Sequence, residues 1–385
     1  MHDLINDLAS FVFVEFCFRW EGSNSPNSLS KTSHFSDMPE YHYHDEADSV
    51  EIFEALQQDK CLRTFLLLEP RCLLNLNKGR CDILPKSQCL RVLNLYKYNI
   101  KELPDTINDL RRLRYLDLSW TPIKKLPDTI CTLYNLQVLL LSNCRGLTEL
   151  PANLGRLINL SHLDITETKL KKMPPQMGKL KDLQMLPEFV LDKHNAGENL
   201  AELKKLEKLR GRLCISGLVH SSGLEAYILR NKKFLKELVL DWRGRDLSEK
   251  GNNIVEEREV LEKLQPHLNL ERLTIKGYGG KMFPGSEFYY GDGNTSTCVR
   301  KPFRCLQSLK FYSMSGWQEW SYVGGDYNEG GVFPNLVRLE VSGCPNLTGR
   351  LASEILTSLV CVSVSYCPEF ECIPEGGFPS KVKIT

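Results

Sequence analysis

The sequence predicts an α/β solenoid, a horseshoe of short strands forming a parallel β-sheet on its concave face, with a returning segment behind each strand. Three observations predict it. First, an apolar pattern recurs every 23 or 24 residues from Leu90, in Leu90-Arg-Val-Leu93-Asn-Leu95, Leu113-Arg-Tyr-Leu116-Asp-Leu118, Leu136-Gln-Val-Leu139-Leu-Leu141 and Leu160-Ser-His-Leu163-Asp-Ile165. Second, each unit carries a further apolar arc, Leu103-Pro104-x-x-Ile107-x-x-Leu110, Leu126-Pro127-x-x-Ile130-x-x-Leu133 and Leu150-Pro151-x-x-Leu154-x-x-Leu157. Third, Pro104, Pro127, Pro151 and Pro174 keep one register through these arcs.

The pattern is that of the leucine-rich repeat, L-x-x-L-x-L-x-x-N/C-x-L. Alternation along each strand turns Leu93 and Leu95 inward and Val92, Asn94 and Tyr96 to the opposite face. No single unit can bury its leucines, so neighbours stack into a continuous column. The proline-bearing return is unsuited to a long helix and predicts a turn with a short helical or 3₁₀ piece, on which Ile107, Ile130 and Leu154 close the core.

From the N-terminus, apolar residues at 4, 5, 8, 9 and 12 have helical spacing. Residues 21–60 read as a linker, rich in Ser, Asn, Asp and Pro, ending in a short amphipathic helix from Val50 to Gln58. Residues 61–186 hold the regular repeats, opened by an irregular strand at Cys61-Leu62-Arg-Thr-Phe65-Leu-Leu67. Residues 187–234 form an irregular repeat with a helix from Glu198 to Leu209 leading into Leu213-Cys-Ile215. Residues 235–385 hold longer repeats, beginning at Leu235, Leu270, Leu306, Leu336 and Leu359, whose extra length is expected to bulge out as loops at 277–300 and 317–331.

Composition narrows the function. With 49 basic and 48 acidic residues the net charge is +1, which does not favour a dedicated nucleic-acid or anionic-membrane surface. No apolar run is long enough to span a bilayer, and the acidic N-terminal residues do not make a signal peptide. The 14 cysteines are dispersed, and Cys144, Cys344 and Cys367 fall at the N/C position of the repeat, where a buried thiol meets backbone groups at the turn. Reduced cysteines and a cytoplasmic location follow as the expectation. The sequons at Asn159, Asn294 and Asn346 then have no acceptor role, and Tyr41-His42-Tyr43-His44-Asp45 reads as a solvated loop with no metal partner of fixed spacing. No G-x-S-x-G, H-E-x-x-H or acid–base carboxylate pair is present, so the expected activity is binding, not catalysis.

Several segments carry a resemblance to a known family. They are Met1-His2-Asp3-Leu4-Ile5-Asn6-Asp7-Leu8-Ala9, Cys61-Leu62-Arg63-Thr64-Phe65, Leu209-Arg210-Gly211-Arg212-Leu213-Cys214-Ile215-Ser216-Gly217-Leu218, and the Cys344-Pro345 and Cys367-Pro368 turns. Over nearly its whole length the chain resembles the C-terminal part of plant intracellular immune receptors of the nucleotide-binding leucine-rich-repeat (NB-LRR) class, in the coiled-coil branch that includes the RPP13-like disease-resistance proteins. The resemblance implies that residues 1–20 correspond to the end of a nucleotide-binding (NB-ARC) module, with His2 against the phosphates of ADP and Asp3 beside it. No G-x-x-x-x-G-K-[ST] loop occurs, so these residues lack the cradle that ADP or ATP needs, and no cofactor is expected.

The resemblance also implies a recognition surface that binds a pathogen effector, a guarded host protein or an NB-ARC module, as a monomer. On the predicted concave face stand Tyr96, Lys97, Tyr115, Asp117, Trp120, Asn143, His162, Asp164 and Glu167, then Trp242, Arg272, Tyr312 and Arg338. Tyr96, Tyr115 and Trp120 are the expected hot spots, because aromatic rings bring large contact area at low entropic cost. Charges alternating in sign along the later strands favour specificity by electrostatic matching. Lys124-Lys125, Lys171-Lys172 and Lys204-Lys205 form basic clusters at strand exits or on a helix, suited to a contact with an NB-ARC module. The alternative is a cytosolic scaffold or ubiquitin-ligase adaptor on the same solenoid. An extracellular ectodomain is disfavoured by the absence of an export signal.

Overall fold

The computed structural model describes residues 17–20, 33–37, 61–67, 87–192, 194–218, 227–242, 254–281, 303–320, 333–350, 358–371 and 383–384. The chain folds as two compact units, Met1–Leu170 with Pro174–Leu183, and Lys171–Met173 with Gln184–Thr385. The expected helices at 4–12 and Val50–Gln58, residues 282–300 of the expected loop 277–300 and 321–331 of the expected loop 317–331, Tyr41–Asp45, and His2 and Asp3 lie outside the described residues.

Among the described residues the first unit holds seven strands in sequential parallel order: β1 (Cys17–Trp20), β2 (His34–Asp37), β3 (Thr64–Leu67), β4 (Val92–Asn94), β5 (Tyr115–Asp117), β6 (Val138–Leu140) and β7 (His162–Asp164). Its register is the one the repeat demands: Val92, Tyr115, Val138 and His162 align, as do Leu93, Leu116, Leu139 and Leu163. The latter row is fully buried, together with Leu95, Leu118, Leu141 and Ile165. Each such leucine withdrawn from water contributes about 1.5–3 kcal/mol before conformational costs.

The returns are 3₁₀ turns at Asp105–Asp109, Asp128–Thr132, Leu154–Arg156 and Met177–Lys179. Pro104 and Pro127 stand at the first two starts with φ −71° and −67°, where the ring's fixed φ fits and the missing N–H is no loss. Ile107, Ile130 and Leu154 are fully buried against the leucine column, as the arc predicts.

The second unit carries β8 (Glu188–Val190), β9 (Arg210–Ser216), β10 (Phe234–Asp241), β11 (Arg272–Lys276), β12 (Ser308–Tyr312), β13 (Arg338–Ser342), β15 (Cys361–Ser365) and β17 (Lys383–Ile384) in one parallel sheet. β14 (Gly349–Arg350) pairs with β16 (Phe370–Glu371) behind it. Aromatic rings fill the wider core: Phe311 lies 4.9 Å from Trp317, and Trp320 is 5.3 Å from Trp317 and 6.2 Å from Phe370.

Three differences from the sequence reading have physical causes. His34–Asp37 lies inside the segment read as a linker yet pairs in parallel with β3, and the Phe35 ring stacks 5.3 Å from Phe65 in place of a leucine. The helix expected at 198–209 is α1, Ala196–Lys204; residues 207–208 are a turn and Arg210 already begins β9. A helix not foreseen, α2 (Ile254–Lys263), occupies the long segment between β10 and β11, burying Val260 and Leu261.

Candidate partner-binding face

Each short strand presents alternate side chains on the open face of its sheet. In the first unit Val92, Tyr115, Val138 and His162 make one row, Asn94, Asp117, Leu140 and Asp164 a second, and Tyr96, Ser119, Ser142 and Thr166 a third. The second row builds the strand exits. Asn94 Oδ1 accepts from the Tyr96 N–H at 2.8 Å, Asp117 Oδ1 from Ser119 at 2.8 Å, and Asp164 Oδ1 from Thr166 at 3.0 Å. These are Asx turns on β4, β5 and β7, with Leu140 on β6 the exception.

One residue further on, Lys97, Trp120, Asn143 and Glu167 all adopt the left-handed region, with φ of 60°, 63°, 59° and 56°. Their N–H groups still extend the ladder, Lys97 donating to Ser119 O, Trp120 to Ser142 O and Asn143 to Thr166 O, all at 2.8 Å, and the positive φ then turns the chain out of the sheet. These side chains therefore stand at the turn leaving the sheet, not in a strand row. Trp120 is 48 % exposed there.

At the N/C position the structure places Tyr98, Thr121, Cys144 and Thr168, all buried. Thr121 and Thr168 hydroxyls donate to Leu118 O and Ile165 O, and the Cys144 thiol donates to Leu118 O at 3.0 Å. Burial pushes the Cys144 thiol up, and that of Cys344 to about 12. Cys89, Cys131, Cys144, Cys214, Cys305, Cys344, Cys361 and Cys367 are free thiols.

The predicted site residues divide into two groups. Tyr96 and Tyr115 are half-buried, with Lys97 Nζ 4.9 Å from the Tyr96 ring centre. Burial raises the Tyr115 phenol to about 12, helped by the Asp117 carboxylate that accepts its hydroxyl at 3.4 Å. His162 is hydrogen-bonded through Nδ1 to Ser161 Oγ at 2.8 Å. Asp164 also accepts from Thr166 Oγ1 at 2.8 Å.

Two expectations need correction. Asp117 is 7 % exposed and acts as a turn cap, and Trp242 is 2 % exposed, its ring edge-on to Tyr278 at 5.3 Å. Counting along the repeat put Trp242 on the open face, but the residue lacks the left-handed turn of its counterparts and packs into the core.

On the second unit the open face is charged and internally paired. Glu237 bridges Arg212 at 3.3 Å and Arg272 at 3.0 Å. Glu340 meets Lys310 at 2.9 Å and accepts the Tyr312 hydroxyl at 2.5 Å. Arg338 stands exposed beside them. The alternating charges seen in the sequence thus largely satisfy one another across strands. Of the basic clusters, Lys172 pairs with Asp192 at 3.4 Å and Lys205 with Glu202 at 2.5 Å, whereas Lys124 and Lys125 are exposed.

Among the described residues no cluster of His, Cys, Asp or Glu is arranged to hold a metal ion, and no helix is long and apolar enough to cross a membrane.

Parallel sheets built one strand per repeat, backed in the first unit by 3₁₀ turns, define the class. The leucine-rich repeat region family matches residues 62–288, and the chain belongs to it. Within that family the chain is related to plant disease-resistance proteins. It is 36% identical over 96% of its length to the Arabidopsis thaliana disease resistance protein At3g14460, and 34% identical over 97% to disease resistance RPP13-like protein 1 of the same plant. It spans only 29% and 40% of those two relatives. Solved structures support the fold alone: an internalin (InlF) of Listeria monocytogenes aligns with TM-score 0.52 at 16% identity, covering 94% of this chain and 88% of that one. The functional domain of InlJ from the same bacterium aligns with TM-score 0.53 at 13% identity, covering 91% and 61%.

Proposed function

We propose that the chain serves plant defence as a recognition element. Its working surface would be the open face and strand exits of the first unit, binding a pathogen effector, a guarded host protein or an NB-ARC module. One observation carries this reading. Trp120 is held outward by a left-handed turn beside half-buried Tyr96 and Tyr115, with Lys97, Asn143, His162, Asp164 and Glu167 around them. A rigid aromatic group ringed by polar side chains is the usual composition of a binding hot spot. Arg272, Tyr312 and Arg338 of the second unit would add specificity, since charges already paired within the chain supply less new affinity.

The likeness to disease-resistance proteins supports the defence role. In this reading the chain works by binding and not by catalysis, and no role toward nucleotide is assigned to His2 and Asp3.

The test is a pull-down of the purified chain against an ADP-loaded NB-ARC module from a related disease-resistance protein, beside Tyr115→Ala/Trp120→Ala and Lys124→Glu/Lys125→Glu. Loss of about tenfold or more in the aromatic double variant supports the open face. Binding that survives it but fails on charge reversal would move the contact to the basic rim and sink this assignment.

A further inference from the structure

A second surface on the first unit lies along the residues that lead into its strands. The residue after the first leucine of each repeat is Arg63, Arg91 and Arg114 in three successive repeats, with backbone N–H of Arg91 donating to Arg63 O at 2.7 Å and that of Arg114 to Arg91 O at 2.8 Å. The preceding turn adds Arg111 and Arg112. All five side chains are exposed, and none forms an ion pair with a carboxylate among the described residues; Arg112 only touches Cys89 Sγ at 3.9 Å. Five guanidinium groups thus share one edge with no carboxylate partner among the described residues.

The same edge then turns apolar. At the position of Arg111, the next two repeats carry Tyr134 and Ile158, 53 % and 56 % exposed. Their turns are held in place: Asn135 Nδ2 donates to Arg111 O at 2.8 Å and Asn159 Nδ2 to Tyr134 O at 2.7 Å. The second unit provides an internal control. Its equivalent residues are Gln184, then Arg210, whose guanidinium lies 5.6 Å from the Phe234 ring centre, then Lys236 and Glu271, paired at 2.6 Å, followed by uncharged Gln307, Val337 and Val360. Stacking repeats therefore does not require an unpaired arginine row.

We propose that this edge docks an acidic, amphipathic helical segment of a partner protein. Arginine suits the assignment because its planar fork binds carboxylates in pairs and stays charged under all physiological conditions. Adjacent strands lie about 4.8 Å apart, so the four steps from the Arg63 repeat to the Ile158 repeat span about 19 Å. A helix rising about 1.5 Å per residue covers that with about 13 residues, and carboxylates three or four positions apart then follow successive arginines. Its last turn would set an apolar side chain over Tyr134 and Ile158. This edge is separate from the open face, so its failure would leave the recognition reading intact.

The probe is a fluorescein-labelled 14-residue helical peptide with Glu on one face over three turns and Leu-Phe at the end, titrated against the whole chain by fluorescence anisotropy. Arg91→Gln/Arg114→Gln is expected to weaken binding about tenfold and Tyr134→Ser by about threefold, with steep loss in added salt. Arg304→Gln, at the position of Arg111 in the second unit, should leave it unchanged. Circular dichroism confirms that each variant is folded. Equal binding of a Gln-for-Glu peptide, no binding at millimolar concentration, or insensitivity to the arginine changes would overturn the proposal. So would tighter binding of a 14-nucleotide single-stranded RNA, which would make the edge a polyanion site instead.

Discussion

The two units solve one packing problem with different turns. In the first, strands of three residues leave through left-handed turns at Lys97, Trp120, Asn143 and Glu167, none of them glycine. In the second, the strands of five residues or more leave through glycine at three exits, Gly217, Gly277 and Gly343, and through Trp242, Ser313 and Tyr366 at the other three, of which Trp242 alone is not left-handed. A non-glycine residue at positive φ costs about 1 kcal/mol. The first unit meets that cost at four consecutive turns and thereby displays a side chain at each. Where the second unit drops the side chain at three exits and pairs its charges across strands, the first displays a side chain at each of these turns and a row of arginines with no carboxylate partner among the described residues. Recognition is accordingly assigned to the more strained, less self-satisfied unit.

The largest test of this contrast concerns close packing in the second unit. A Cβ built on Gly316 would lie 1.7 Å from Gly279 O, a backbone atom that cannot step aside. Gly316→Ala is expected to lower stability by about 3 kcal/mol or more, read as a fall in the urea midpoint. Ala at Gly146 in the first unit, where the Cβ meets Ile123 O at 2.9 Å, should cost less. Equal losses would show that the longer repeats are no more tightly closed than the short ones.

An exchange of turn residues comes next. Trp120→Gly relieves the left-handed strain and should raise stability by up to about 1 kcal/mol while abolishing the proposed contact. Gly343→Ala should lower it by about 1 kcal/mol, because its Cβ meets only ordinary contacts at 3.5 Å and the penalty is conformational. Thermal denaturation of both variants decides. A destabilised Trp120→Gly would mean that the indole is held by packing and is not free for a partner.

Much of this was legible in the sequence, for a physical reason. Leu93, Leu116, Leu139 and Leu163 repeat at fixed spacing because every strand needs the same inward pair, so register, sheet direction and the buried Ile107 and Ile130 could be read directly. The Cys144 contact with Leu118 O was legible too, since the repeat reserves that slot for a small polar group. What escaped depends on partners distant in sequence. His34–Asp37 has no leucine pattern and is recruited as a strand through Phe35 on Phe65. Trp242 is drawn inward by Tyr278, and Asp117 is spent on its own turn. The arginine row shows only once strands are aligned, because a net charge of +1 averages it away.

The smallest predicted effect tests whether the second unit's charges are satisfied among themselves. Burial alone would raise the Glu340 carboxyl, but the Tyr312 hydroxyl and the Lys310 ammonium outweigh it and hold it below the ordinary carboxylate value. A carboxylate whose folded pKa is depressed stabilises the fold above its unfolded pKa, and that contribution is lost as pH falls through the folded value. Glu340→Gln should therefore lower the melting temperature at pH 7, by an amount worth about 1 kcal/mol or less for so accessible a pair, and the gap to wild type should close as the pH is lowered through the folded value. Glu257 on α2 has the opposite sign, since burial raises its carboxyl despite the Gly279 N–H it accepts, so acid relieves a penalty there. Glu257→Gln should accordingly be neutral or slightly stabilising at pH 7, with its advantage shrinking in acid. If Glu340→Gln melts like wild type across the whole range, the Lys310–Glu340–Tyr312 cluster is not a standing internal pair, and the second unit's charges become as available to a partner as those of the first.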